Sequence, residues 1–231
     1  NIGSYRFAGL YQQSPLPAKG NIFKRMYFRY FIENDEFFIL KAFNNDKETK
    51  RVIPKSDCIN FAVCDLAVTK KETSDYTVIL IYSVTPKNDI LIRDIIRDRY
   101  EGANHKELIL SVHEKWKPSI IGIESVQYQT ALTQIMQNTG LAIKALKPDK
   151  EKVMRSLPMQ VRLEGGKVYF LDKAHWLDDF EKELIMFPNA RHDDQVDAFS
   201  YIAYMTNEIG NVTPKGAKLI LKKEGITSNY I

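Results

Sequence analysis

The sequence predicts a mixed α/β domain with helices on both faces of one sheet. Three short apolar runs follow one another between residues 59 and 96, the last two joined by a tight turn. Helical and strand-like segments then alternate up to residue 146, and from residue 150 the pattern is mostly helical. A meander followed by alternating elements makes a sheet that is partly antiparallel and partly parallel.

Residues 1–25 carry Gly9, Pro15, Pro17 and Gly20 with little periodicity, and are expected to form a linker or extended arm. The chain opens at Asn1 on what looks like mid-protein sequence, so a fragment of a longer protein is expected. Tyr27–Ile32 and Phe37–Phe43 flank Glu33-Asn34-Asp35-Glu36 and predict a hairpin. Residues 44–57 are expected as polar loop. Ile59–Leu66 predicts a buried strand, Tyr76–Val84 a second and Asp89–Ile96 a third, with Pro86-Lys87-Asn88 turning the chain between the last two.

Asn104 to Trp116 predicts a helix with Leu108, Ile109 and Val112 on one face, stopped by Pro118. Ile120–Glu124 is the fourth strand. Gln127–Asn138 is expected to be helical, ending at Gly140. Ala142–Leu146 is the fifth strand, and a basic helix follows from about Lys150 to Leu163. Val168–Leu171 is short and extended. Ala174–Phe187 and His192–Glu208 complete the helices. The division expected is an arm and hairpin over 1–57, a core domain over 58–209 and a basic tail over 210–231.

At 44% hydrophobic and 27% charged residues, the 231-residue chain suits a globular domain. It holds no apolar run of membrane-spanning length, no secretory signal and no glycine-rich phosphate loop ending in Gly-Lys-Ser/Thr. Cys58 and Cys64 are the only cysteines, which excludes a disulfide scaffold and suits a reducing cytoplasm. His105, His113 and His175 are assigned to amphipathic helices, as structural residues. Net charge is +4, and the segment 141–173 alone has eight basic residues against four acids, an excess equal to that of the whole chain. Such a patch suits a polyanion, with a solvated helix face as the ordinary alternative.

Acids stand at three telling places. Asp65 follows Phe61-Ala62-Val63-Cys64, and Glu124 follows Ile120-Ile121-Gly122-Ile123. A carboxylate ending a buried run is costly unless it meets a cation or water. His192-Asp193-Asp194-Gln195-Val196-Asp197-Ala198 opens a helix, where Asp194 and Asp197, three apart, share a face. Their repulsion is relieved partly by the helix dipole and far more by a divalent ion, for which an oxygen-rich site favours Mg²⁺ or Mn²⁺. Phosphodiester hydrolysis by two metal ions needs such a set of acids. Singly, each has an ordinary reading: Asp65 and Glu124 as caps, Asp193 or Asp194 as an N-cap, Asp75 as a turn residue, His192 as a surface histidine.

Together the motifs resemble RNase H-like nucleases, and within them the C-terminal nuclease domain of phage terminase large subunits. Leu10-Tyr11-Gln12-Gln13-Ser14-Pro15, Gly20, Phe23 and Phe28-Arg29-Tyr30-Phe31 look like that family's lead-in from its ATPase domain. Cys64-Asp65-Leu66-Ala67 with Ser74-Asp75-Tyr76, then Ile121-Gly122-Ile123-Glu124, then His192-Asp193-Asp194 through Ala198 look like its three nuclease motifs. The resemblance implies a five-stranded sheet of order 3-2-1-4-5 with strand 2 antiparallel. It implies an endonuclease that cuts concatemeric viral double-stranded DNA at the start and end of packaging in the host cytoplasm. Catalytic residues and metal ligands would be Asp65, Glu124, Asp194 and Asp197, with Asp193 and Asp75 as further candidates for two Mg²⁺ or Mn²⁺ ions and His192 as an accessory residue. Lys147, Lys150, Lys152 and Arg155 are the candidate DNA contacts. Implied partners are the ATPase domain, a small terminase subunit and a portal or procapsid, with no membrane. The rival readings are a junction resolvase or transposase of the same fold, and a non-enzymatic DNA-tracking or portal-docking module with a degenerate site.

Overall fold

The computed structural model describes residues 21–44, 47–67, 76–124 and 139–209, together with Leu132 and Met136. Its strands are β1 (Tyr30–Glu33), β2 (Phe37–Asn44), β3 (Lys47–Pro54), β4 (Ile59–Asp65), β5 (Thr77–Val84), β6 (Ile90–Asp98), β7 (Ile120–Glu124), β8 (Ile143–Leu146) and β9 (Val168–Leu171). Its α-helices are α1 (His105–Trp116), α2 (Lys152–Glu164), α3 (Leu177–Met186) and α4 (Asp194–Ile209). Asp75, the lead-in residues 10–15, the tail after 209 and most of the helix expected at 127–138 lie outside the described residues; Leu132 and Met136 are helical and buried.

The nine strands form one sheet in the order β3-β2-β1-β9-β6-β5-β4-β7-β8. Its β6-β5-β4-β7-β8 half is the expected 3-2-1-4-5 order, with β5 antiparallel to both neighbours and β4, β7 and β8 parallel. The expectation of five strands is corrected to nine among the described residues. Val168–Leu171 inserts as β9, parallel to β6 on one side and to β1 on the other, and carries the hairpin strands into the same sheet. The loop expected over 44–57 holds β3, paired with β2 from Asn44↔Lys47 to Phe37↔Pro54. Only Val52 and Ile53 are apolar in the Lys-Glu-Thr-Lys-Arg-Val-Ile-Pro stretch, so no apolar run marks the strand. A charged outer strand is how an exposed sheet edge avoids further pairing. His175 precedes α3 rather than lying on a helix.

Every residue of β5 is buried, which places this strand at the centre with both faces covered. Two of its three polar side chains are satisfied: Ser83 Oγ donates to Asn60 Oδ1 at 2.7 Å, and Thr77 Oγ1 accepts from the Ala67 amide and lies 3.1 Å from His105 Nε2, while the buried Tyr82 hydroxyl has no hydrogen-bond partner among the described residues. Side chains alternate along the strands and sort into two cores. Phe61, Val63, Val78, Leu80 and Tyr82 face Val196, Phe199, Ile202 and Met205 of α4, with α2 and α3 beside them. Ala62, Cys64, Ile79, Ile81, Ile121 and Ile123 face Ile109 and Val112 of α1.

This alternation aims the acids. Asp65 continues the Phe61, Val63 row and Glu124 the Gly122 row, so both end on the α4 side. Cys64 pairs with Ile123 in parallel register, so Asp65 and Glu124 are next-door residues on strands about 4.8 Å apart. Gly122 lets α4 come close: a Cβ there would stand 2.7 Å from Leu146 Cδ1 and 2.9 Å from Met205 Sδ. Gly122→Ala is therefore expected to destabilise the fold by about 1–3 kcal/mol through overpacking. Urea denaturation measures it; an unchanged midpoint would mean that the approach of α4 does not depend on this glycine.

Candidate active site

Asp65 at the end of β4, Glu124 at the end of β7, and Asp194 and Asp197 on the first turn of α4 line one cleft of about 440 Å³. Tyr76, Pro148, Lys150, Lys152 and Arg155 line it as well. Of the sequence-predicted acids, the structure thus gathers these four. Asp193 stands at the rim, where its Oδ1 accepts from Lys152 Nζ at 2.8 Å. His192 Nδ1 lies 3.9 Å from Asp194 Oδ2, and its ring meets Tyr76 edge-on at 5.4 Å. Lys147 and Lys150 are exposed before α2.

The electrostatics of the cleft are those of crowded carboxylates. Burial pushes the Asp65 carboxyl well above the usual range, and Glu124, Asp197 and Asp194 push it the same way; Asp65 and Glu124 also share a hydrogen bond. Asp194 and Asp197 are each 6% exposed. Their placement at the start of α4 gives them the positive end of the helix dipole.

Two cations from α2 enter this cluster. Arg155 Nη2 donates to Asp197 Oδ1 at 2.6 Å, and Lys152 Nζ lies 2.9 Å from Asp197 Oδ2. Burial pulls the Lys152 ammonium down, but its bonds to Asp193 and Asp197 more than reverse this and hold it above its ordinary value. The expected phosphate track on α2 is therefore turned partly inward: Arg155 is buried at 7% exposure, and Lys152 bridges two of the acids.

Sequence reasoning missed two residues that hold the acids in place. Tyr201, fully buried, donates its hydroxyl to Glu124 Oε1. It lies four residues after Asp197, on the acids' own helix face, which is the one signal that pointed to it. Glu183 of α3 caps α4: its Oε1 accepts from the Gln195 and Val196 amides at 2.7 and 3.1 Å, and its Oε2 accepts from Gln195 Nε2 at 2.7 Å. The carboxylate thus satisfies amides that a helix start leaves open.

The donor set suits a hard divalent cation: oxygen ligands, mutually repelling, at the ends of rigid elements. Among the described residues no three such groups form a ready metal cage. The side chains explain it, since both Asp197 oxygens face cations and Glu124 accepts from Tyr201.

A sheet of this order, with acids at the ends of two adjacent parallel strands and on the helix across them, defines an RNase H-like fold. Residues 62–206 match the family described as the terminase RNase H-like domain, and the chain belongs to that family. No curated protein matches it. Among solved structures it is similar to the large terminase nuclease of the thermophilic phage G20c with bound magnesium, at 13% identity and a TM-score of 0.56 over 82% of this chain and 99% of that one. The same phage nuclease with bound cobalt aligns at 13% identity and 0.57 over the same shares. The human cytomegalovirus terminase nuclease domain, manganese-soaked and inhibitor-bound, aligns at 13% and 0.48 over 67% and 86%.

Glu183→Ala is expected to cost roughly 1–3 kcal/mol, the scale of a lost cap that leaves buried amides unpaired. Hydrogen exchange at the Gln195 and Val196 amides should quicken with it. Unaltered protection there would show that another group caps α4.

Proposed function

We propose that this chain is a divalent-metal-dependent endonuclease that cuts concatemeric viral double-stranded DNA at the start and end of genome packaging. The observation that carries this reading is the convergence of Asp65, Glu124, Asp194 and Asp197 in one cleft of a terminase-family domain. The G20c nuclease, of the same fold, has been crystallised with bound magnesium and with bound cobalt, which supports a divalent ion here. In this role the chain works in the host cytoplasm on DNA, with the packaging ATPase, a small terminase subunit and a portal as partners.

Asp65, Glu124 and Asp194 would hold the ions, two in number, with Asp197 at the edge of the set. Bound there, the ions supply an activated water and stabilise the leaving oxygen. The chain's own groups do the rest. Tyr201 holds Glu124 in one orientation. Arg155 holds Asp197 in place by a direct bond at 2.6 Å. Exposed Lys147 and Lys150 draw the backbone toward the cleft without reading bases, which suits a cutter with little sequence preference.

With Mg²⁺ or Mn²⁺, the unaltered chain is expected to nick and linearise plasmid DNA, and EDTA to stop it. Asp65→Asn, Glu124→Gln and Asp194→Asn should each reduce cleavage by at least about a hundredfold, the scale set by loss of one group that stabilises charge in the transition state, while circular dichroism reports an intact fold. Wild-type cleavage by any of the three would remove that residue from the site, and a chain that cuts equally well in EDTA would end the metal-dependent reading.

A further inference from the structure

We propose that Lys152 is a built-in cation that competes with one of the two metal ions, so that the cleft takes its first divalent ion tightly and its second only as Lys152 leaves Asp193 and Asp197. This inference rests on the metal-dependent reading of the cleft.

The two α2 cations are not equivalent. Arg155 is buried, donates to Asp197 Oδ1 at 2.6 Å and sets its guanidinium 5.2 Å from the centre of the buried Tyr201 ring. It is a fixed part of the wall. Lys152 is the first residue of α2, and its side chain is 51% exposed. Its ammonium reaches Asp193 Oδ1 at 2.8 Å and Asp197 Oδ2 at 2.9 Å, tying the rim acid to the buried one. A compact point charge on a flexible four-carbon stem can return to water at little cost, whereas a buried planar guanidinium cannot.

Charge balance makes the two ions unequal. Asp65, Glu124, Asp193, Asp194 and Asp197 face Lys152 and Arg155. By formal side-chain charge, five acids against two cations leave a deficit of three, so one divalent ion leaves the cluster a single negative charge short of neutral. A second overshoots by one positive charge unless Lys152 withdraws. Lys152 sits on Asp193 and Asp197, not on the Asp65–Glu124 pair, so the first ion has those two acids without displacing a cation. Once released, the ammonium stands on the cleft rim, where a phosphate backbone would pass. Loading of the second ion and capture of DNA are then coupled through one side chain.

Isothermal titration calorimetry of Mn²⁺ into the 231-residue chain without DNA tests this without relying on cleavage. The unaltered chain is expected to show one tight and one weak ion. Lys152→Met, which keeps the stem and removes the charge, should tighten the weak ion about tenfold and leave the tight one in place, the scale of one unit charge at a half-exposed pair. Lys152→Arg, which keeps the charge, should retain the weak second ion. Thermal melts of all three establish that they fold. Superimposable isotherms for Lys152→Met and the unaltered chain would overturn the inference, as would two equally tight ions in the unaltered chain or a Lys152→Arg variant that behaves like Lys152→Met. An unaltered chain that takes up no Mn²⁺ would overturn the metal reading itself, and the inference with it.

Discussion

Carboxylate repulsion in a shallow, partly dry cleft is the constraint around which this domain is arranged. The clearest cost falls on Asp65, whose carboxyl is pushed up first by burial and then by Glu124, Asp197 and Asp194 beside it. The surroundings offset that cost in three ways: the N-terminus of α4 beneath two of the acids, Lys152 and Arg155 on Asp197, and the Tyr201 hydroxyl on Glu124. Such a cluster is destabilising in itself, and these contacts reduce that cost.

The rest of the fold sets the positions of those acids. Period-two alternation turns Asp65 and Glu124 to the same side of the sheet, and parallel register makes them neighbours. Gly122 admits α4 against β7, and Glu183 fixes where that helix begins. The four carboxylates thus ride on three rigid elements, two strands and a helix, and a shift of any one would open the site. The β9 insertion and the hairpin strands serve a different end: they extend the sheet away from the cleft and bury a separate cluster of Phe31, Phe38, Leu40, Leu91 and Tyr169.

The half of the sheet that bears the site was legible because its strands are near-continuous apolar runs and its acids interrupt or follow them. The same rule that found Asp65 and Glu124 failed on β3, whose charged residues suit a sheet edge and leave no apolar signal. Glu183 carries no local signal, since the amides it caps begin twelve residues further on, at Gln195. Nothing local marks the Tyr201 hydroxyl, because its partner lies 77 residues back along the chain. Lys152 and Arg155 were legible as a basic helix face, but their direction was not: only the packing of α2 on α4 shows that the face looks into the acids rather than away from them. Local pattern reports which residues carry charge, while tertiary packing decides which charges meet.

What unites these features is one claim, that the acid cluster exists to hold divalent metal against a DNA backbone. Anomalous diffraction at the manganese edge, from crystals soaked in Mn²⁺, addresses it most directly. The account predicts a peak in contact with carboxylate oxygens of Asp65 and Glu124, between them and Asp194. A soaked crystal with no peak there, or with manganese only at acids elsewhere on the surface, would contradict it.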